Sequence, residues 1–228
     1  MAIEHYQRQL GFNSIPVIHP AIFADDCSGS FNYEADGHGD DWVAQYHPDA
    51  ALVQMNGIIL QTRATEPAEN DRVYLMKRLW LDPERLLRLQ IVFKTPMAKP
   101  EMRITFALVW GDGEQNHHAG IHYESVDSHV DYVSGGNWGL WTYTELPDVI
   151  AAVRPEIWNK LDFDIDLTAD TYHRLHTNQH ARDMSEIPLV IEGGKFDRYL
   201  YFLVFLWATT AFQQTLYLDQ VLLTPENG

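Results

Sequence analysis

The residue types best suited to chemistry are concentrated in the middle of the sequence. His117, His118 and His122 are followed by Glu124 and Asp131. Imidazole and carboxylate groups transfer protons in catalysis and ligate transition metals. A zinc site, however, needs three or four ligands that converge on one point. Because the chain contains eleven histidines, we interpret this group as ordinary polar residues rather than as a zinc site.

A second histidine group has helical spacing in a stretch that does not look helical. His173, His176 and His180 are spaced i, i+3, i+7, which would align them on a helix. The surrounding residues alternate as in a β-strand, where His173 and His176 would point to opposite sides. This spacing therefore does not favour a metal site.

Three carboxylates share one face of a predicted strand. Asp162, Asp164 and Asp166 alternate with apolar residues, so they lie on the same side about 6.5–7 Å apart. We expect Arg88 and Arg103, on the polar faces of other strands, to neutralise this row across the sheet. A row of ionised carboxylates without an acid of raised pKa does not make a glycosidase.

Tryptophans and polar residues near turns form a candidate ligand surface. Sugars bind flat aromatic faces, while polar groups fix their hydroxyls. Trp138 and Trp141 follow the turn at Gly135–Asn137 and have opposite strand parity, so at most one faces a given groove. The complete predicted ligand-binding set is Trp110, His117, His118, His122, Glu124, Asn137, Trp138 and Trp141.

The elements that must position these residues are β-strands. Residues 87–93, 102–110 and 161–167 alternate between apolar and polar with period two, which a helix could not maintain. Two further runs, Tyr199–Trp207 and Thr215–Leu223, are apolar on both faces and must be covered twice. Short strands separated by frequent glycine turns are typical of a β-sandwich or barrel.

Helices are few in this interpretation, and nothing divides the chain. Short helical turns are predicted at Pro147–Val153 and at Asp82–Arg85. No repeat, low-complexity tract or proline-rich linker interrupts the sequence. We therefore predict one domain over residues 1–228, with residues 1–20 as an N-terminal extension.

Composition narrows the classes of partner. Sixteen basic and 32 acidic residues give the 228-residue chain a formal net charge of −16, which argues against nucleic acids and anionic membranes as partners. Cys27 is the single cysteine, so no internal disulfide can form, and we expect it to be inert. The N-terminus lacks a basic segment followed by an apolar run, so we expect a soluble, cytoplasmic protein.

The C-terminal third resembles a known architecture. The strand-like Trp158–Leu167 leads through a turn into Thr171–Asn178, and the chain closes with Leu216–Thr224, read as LYLDQVLLT. Together with the opening Ile22–Asp26, this order resembles the concanavalin A-like jelly roll of lectins, glucanases and carbohydrate-binding modules. The resemblance implies an all-β, antiparallel β-sandwich with one or two short helices. The E-φ-D-x-x-E strand motif of laminarinase-type members is absent.

The resemblance also implies a metal. Jelly-roll modules often hold a structural calcium ion between the first strand and an aspartate of the last, here Asp219 with Asp25 and Asp26 as further oxygen ligands. Strand parity places Asp219 on the same face as Tyr217 and Val221, so we expect it to be buried. The alternative is that backbone amides or a basic side chain hold Asp219.

Three functions remain open at this stage. The favoured function is carbohydrate recognition without catalysis, with an oligosaccharide or glycan as ligand. The second is a glycan-acting hydrolase or lyase whose acid and base come from Glu114, His117, His122, Glu124 or Asp131. The third is a structural subunit that forms a homodimer through the doubly apolar run at residues 199–207.

Overall fold

The structure is a computed structural model of the whole chain. It describes residues 23–25, 31–32, 42–46, 51–54, 58–61, 71–79, 86–95, 102–124, 129–137, 140–149, 154, 156–178, 180–193, 198–208 and 214–225. In the segments up to residue 61, Leu60 apart, the description covers the backbone only.

Seventeen strands make up this part of the chain. They are β1 (Phe23–Asp25), β2 (Phe31–Asn32), β3 (Trp42–Tyr46), β4 (Ala51–Gln54), β5 (Ile58–Gln61), β6 (Asp71–Leu79), β7 (Leu86–Lys94), β8 (Met102–Gly111), β9 (Gln115–Glu124), β10 (His129–Asn137), β11 (Leu140–Glu145), β12 (Trp158–Asp166), β13 (Thr171–Thr177), β14 (Ala181–Asp183), β15 (Val190–Gly193), β16 (Leu200–Ala208) and β17 (Thr215–Pro225).

The strands form two sheets. The first sheet has the order β14-β13-β12-β7-β17-β5-β4, with β1 pairing β17. The second sheet has the order β11-β10-β9-β8-β16-β6-β3-β2, with β15 pairing β9. Every pairing is antiparallel except the short contact between β2 and β3. The predicted all-β, antiparallel β-sandwich is therefore confirmed.

The core lies between the sheets and follows the alternation seen in the sequence. Leu161, Phe163 and Ile165 of β12 are buried, as the period-two pattern predicts. Their neighbours in the core come from strands of both sheets. They include Leu87, Leu89, Ile91 and Phe93 of β7, Ile104, Phe106 and Leu108 of β8, and Phe202, Val204 and Leu206 of β16.

The doubly apolar run does lie in a central strand covered on both sides. β16 pairs with β6 on one edge and β8 on the other. Its second apolar side carries Leu203 and Phe205, which are 0% and 2% exposed and belong to a separate cluster with Val109 and Trp141. Leu203 and Phe205 are thus already buried within one chain.

One tyrosine connects the sheets where β9 changes partners. β10 pairs β9 at residues 121–124, whereas β15 pairs it at residues 115–118. The hydroxyl of Tyr172, a fully buried residue of β13, reaches this fork from the first sheet. It accepts a hydrogen bond from the Gly120 amide at 2.8 Å and lies 3.1 Å from the carbonyl oxygens of Gly120 and Val133. The backbone groups at the fork therefore have partners.

The side-chain orientation predicted around Asp219 in β17 differs from the structure. β17 has a bulge between Leu218 and Gln220, so the strand faces invert there. As a result Val221 faces the core while Tyr217 does not, and Asp219 is half-buried rather than buried. The prediction that these three residues share a buried face is wrong because a sequence pattern does not reveal the bulge.

The helical predictions are only partly covered. Pro147 and Asp148 form a turn, with the Val149 amide donating to the Leu146 carbonyl at 2.9 Å. Residues 150–153, the turn predicted at Asp82–Arg85, the extension 1–20 and Cys27 lie outside the described residues. Within the described residues there is no helix, and hence none long and apolar enough to cross a membrane.

Candidate functional site

The chemistry-bearing residues converge on the outer face of the second sheet, the face turned away from the first sheet. Strand register places one residue from each of six neighbouring strands in a row across this face. From β6 to β11 the row is Tyr74, Phe205, Thr105, His122, Asp131 and Glu145. Its apolar end lies on β6 and β16, and its ionisable end lies on β9, β10 and β11.

His122 is held rigidly within this row. Its Nδ1 lies 2.8 Å from the hydroxyl of Thr105, which is itself 3.2 Å from the hydroxyl of Tyr143. The Tyr143 ring stacks on the imidazole with 4.1 Å between ring centroids. Burial, reinforced by the charges of Arg103 and His129, lowers the pKa of His122 to about 3. The imidazole is therefore neutral near pH 7 and can act as a ligand or hydrogen-bond partner.

Glu124 forms a salt bridge with an arginine on the adjacent strand. Arg103 of β8 lies directly opposite Glu124 in the register. Its Nε and a terminal nitrogen lie 2.9 and 2.8 Å from the same oxygen, Oε1 of Glu124. Arg103 is thus committed to one oxygen of this carboxylate.

Asp131 is the most deeply buried carboxylate of this face. It is 6% exposed, and its Oδ1 has no hydrogen bond although His129 Nε2 lies 3.3 Å away. Burial raises the pKa of Asp131; the adjacent His129 opposes this shift, and the charges of Glu124 and Glu145 reinforce it. The side chain is therefore poised to accept a proton or a cation.

Together these residues form the one group of potential metal ligands found among the described residues. A ring nitrogen of His122 and a carboxylate oxygen from each of Glu124 and Asp131 lie within 4.8 Å of one another. The β9–β10 hairpin brings them together, because His122 faces Asp131 and Glu124 faces His129 across it. We call His122, Glu124 and Asp131 the hairpin cluster.

His118, a buried residue on the same face of β9 as His122, holds the side chain of Trp141 in place. The Trp141 indole nitrogen donates to His118 Nδ1 at 3.2 Å, and His118 Nε2 lies 3.2 Å from a carboxylate oxygen of Glu192. The proton of His118 must therefore be on Nε2. Burial lowers the pKa of His118, which is 0% exposed.

Aromatic rings line the other half of the outer face. Phe205 stacks with Tyr74 at 5.2 Å and with Trp207 at 5.9 Å between centroids, and meets the edge of Trp141 at 5.3 Å. Tyr201, Trp207 and Tyr143 remain half-buried, so part of each ring is accessible. This half offers the flat apolar surface that sugars stack against.

Two predicted ligand residues lie away from this face. Trp110 and His117 point to the opposite side of the second sheet, where their rings stack at 4.7 Å. His117 Nδ1 lies 2.9 Å from Asp170, and its Nε2 lies 3.5 Å from Asp112. Hydrogen bonds from the Glu114 and Gln115 amides lower the pKa of Asp112. Through Asp112 and Asp170, His117 connects the β8–β9 turn of the second sheet to the β12–β13 turn of the first. Trp110 and His117 therefore do not join the hairpin cluster.

The remaining predicted residues are scattered or not described. Asn137 is exposed at the end of β10, and Glu114 is exposed in a turn, whereas Trp138 lies outside the described residues. For the calcium site, β1 pairs β17 with Asp25 opposite Val221, near the bulge at Asp219. The side chain of Asp25 and all of Asp26 lie outside the description, so calcium stays a prediction.

The aspartate row on the first sheet is structural. Asp164 is completely buried and receives both Arg88, at 2.8 and 3.1 Å, and Arg174, at 3.0 and 3.2 Å. Lys160 lies 3.0 Å from Asp162, whose pKa is raised by burial. The expected neutralisation by Arg88 is confirmed. The expected role of Arg103 is wrong, because β8 belongs to the second sheet.

Sequence reasoning missed the groups that organise His122. Thr105 and Arg103 are separated from β9 by a turn, and their roles follow only from the β8–β9 register. A clue existed, since pairing strands of similar length through the Gly111–Gly113 turn places Thr105 opposite His122. Glu192 was not foreseeable, because β15 reaches β9 only after a long excursion of the chain.

Solved structures show which architecture this arrangement belongs to. The chain is similar to a GlcNAcα1-4Gal-releasing endo-β-galactosidase from Clostridium perfringens, with a TM-score of 0.58 and 11% identity, over 93% of this chain and 65% of that one. For a non-specific endo-β-1,3(4)-glucanase of family GH16 the values are 0.57 and 11%, over 94% of both chains. For lectin UEA-II complexed with galactose they are 0.51 and 8%, over 90% of this chain and 98% of the lectin.

The fold is a concanavalin A-like jelly roll. No family model matches the sequence, and no curated protein matches it. At 8–11% identity the structural likeness establishes the fold alone, and this fold hosts both binding proteins and enzymes.

Proposed function

We propose that the protein recognises carbohydrate on the outer face of its second sheet. The observation that carries the proposal is the juxtaposition, on one face, of half-buried aromatic rings with a buried polar cluster. Tyr201 and Trp207 on β16 supply ring surface, and His122, Glu124 and Asp131 supply hydrogen-bonding groups two to three strands away. Sugar sites combine these two features. Relatives in fold described as a galactose-complexed lectin and as endoglycosidases support the same ligand class.

The test is binding, measured by screening a broad glycan array and titrating the strongest ligand against tryptophan fluorescence. Trp207→Ala should weaken binding by at least about fivefold, since stacking on an accessible aromatic ring is worth about 1 kcal/mol or more. Trp158→Ala is the matched control, because Trp158 is 50% exposed but lies on the first sheet. A silent array, or equal losses in both variants, would refute carbohydrate recognition by this face.

Hydrolysis of the bound glycan is a second candidate, favoured by one observation. Glu124 and Asp131 are close enough to resemble the carboxylate pair of a retaining glycosidase, whose members are about 5–5.5 Å apart. Burial raises the pKa of Asp131, as a general acid requires. If the chain is an enzyme, incubation with the array ligand should release reducing ends, and Glu124→Gln should abolish the release. Binding without product in the parent protein would leave recognition as the function.

A further inference from the structure

We propose that the hairpin cluster binds one divalent transition-metal ion, Zn²⁺ or Mn²⁺. Its three potential ligand atoms lie within 4.8 Å of one another. The ligands of tetrahedral Zn²⁺ with bonds of about 2.1 Å are about 3.4 Å apart, so a contraction of at most about 1.4 Å closes the site. Because His122 is held in place, rotation of the Glu124 and Asp131 side chains would supply this movement. The site does not depend on carbohydrate binding.

His122 is preorganised as a neutral nitrogen ligand. Thr105 engages its Nδ1 at 2.8 Å, which leaves Nε2 as the ligand atom. Tyr143 supports the hydroxyl of Thr105 and stacks on the ring, so the imidazole cannot swing freely. A metal-bound histidine is normally oriented in this way by a hydrogen bond to its other nitrogen.

The two carboxylates each offer an oxygen to an ion. Both contacts of Arg103 end on Oε1 of Glu124, so Oε2 is not used by the arginine. Oδ1 of Asp131 is buried without a hydrogen bond in a residue that is 6% exposed. His129 Nε2 lies 3.3 Å from this oxygen without making a hydrogen bond of good geometry, so the cost of burying the carboxylate is only partly offset, and a cation would lower it further.

The donor set selects the class of ion. One imidazole with two carboxylates suits Zn²⁺ or Mn²⁺, whereas Ca²⁺ and Mg²⁺ prefer oxygen ligands alone. His129 could complete the coordination, because its Nε2 is 3.3 Å from Oδ1 of Asp131, close to the separation of two ligands on one ion.

The experiment is calorimetric titration of the full chain, purified without a polyhistidine tag and freed of metals by a chelator. Zn²⁺ and Mn²⁺ should each bind with 1:1 stoichiometry and raise the melting temperature, and Ca²⁺ and Mg²⁺ should bind far more weakly. Asp131→Asn and Glu124→Gln should each weaken Zn²⁺ binding by at least about tenfold. Co²⁺ should give visible absorption bands with the parent protein that both variants lack.

Asp170→Asn is the matched control, because it removes a carboxylate 2.9 Å from a different buried histidine, His117. This variant should bind Zn²⁺ like the parent. The proposal is overturned if the parent binds neither ion at millimolar concentration, if Glu124→Gln and Asp131→Asn bind as tightly as the parent, or if Asp170→Asn loses affinity to the same degree. Circular dichroism checks the fold of each variant, and Glu124→Gln decides the question should Asp131→Asn not fold.

Discussion

The most deeply buried carboxylate on each outer face of the sandwich, Asp164 on the first sheet and Asp131 on the second, has a different set of partners. On the first sheet, Asp164 is surrounded by Arg88 and Arg174, whose nitrogens make four contacts of 2.8–3.2 Å with its two oxygens. On the second sheet, Asp131 has one oxygen without a hydrogen bond, its ion-pair neighbour is His129 at 3.3 Å, and Arg103 is engaged by Glu124. Removing a buried charge that is fully compensated leaves its partners unpaired and destabilises the fold, whereas a buried carboxylate that is only partly compensated marks a place where a ligand can bind.

The largest effect should come from breaking the compensated face. Asp164→Ala leaves two arginines facing each other, so we expect a loss of about 2–3 kcal/mol in the free energy of unfolding, measured in urea. This value is below that for fully buried pairs because the Arg88 and Arg174 side chains are 26% and 37% exposed. Asp148→Ala is the control, since that aspartate is 85% exposed and its pair with Arg182 should be worth at most about 0.5 kcal/mol. Equal losses of unfolding free energy in Asp164→Ala and Asp148→Ala would show that Asp164 is no more important for stability than an exposed aspartate, which would contradict the contrast drawn between the two faces.

A smaller loss in the free energy of unfolding should appear when pH is lowered in the presence of a chelator. It should come from two histidines of the second sheet. Burial lowers the pKa of His118 and His122 in the folded protein, so the unfolded chain takes up protons first. Their contribution is complete above the unfolded pKa of about 6.5 and is lost as pH falls below it. Between about pH 7.5 and about pH 5.5 His122, whose folded pKa is about 3, should cost about 1.4 kcal/mol of unfolding free energy, and His118 should add a further loss in the same direction.

The pH effect can be assigned by substitution. His122→Gln should reduce the loss of unfolding free energy measured between these pH values. An unchanged pH profile in His122→Gln would show that this imidazole does not stay neutral in the folded protein.

The smallest effect should come from Asp131→Asn. Because Oδ1 has no hydrogen bond to lose, and the lost contact with His129 at 3.3 Å is offset by relief of the repulsion from Glu124, we expect the free energy of unfolding to change by no more than about 1 kcal/mol in either direction. Urea unfolding without metal checks this. A loss as large as that of Asp164→Ala would mean that Asp131 is a structural residue and that the two faces are alike.

Much of the fold could be predicted from alternation alone. The strands around 87–93, 102–110 and 161–167 lie where period two places them, and Leu161, Phe163 and Ile165 face the core. Periodicity failed where a strand gains an extra residue, as at Asp219, because a bulge inverts the faces without changing residue type.

The site could be predicted only in part. His122 and Glu124 share a face by parity, but their approach to Asp131 depends on the register of the β9–β10 hairpin. Arg103 was assigned to the wrong carboxylates because parity says which side of a strand a residue occupies and not which sheet the strand joins. Long-range pairing is information that a single sequence does not contain.

The hydroxyl of Tyr172 gives the first sheet an influence on a surface that it does not touch. It accepts a hydrogen bond from the Gly120 amide between the part of β9 that pairs with β10 and the part that pairs with β15, so it fixes the backbone at the point where those two strands diverge. β10 carries Asp131 and β15 carries Glu192, so the distance between these two carboxylates depends on a contact made by the first sheet. A shift in the packing of β13 would increase or decrease that distance. The proposed ligand surface would then change its dimensions without any change in the residues that form it.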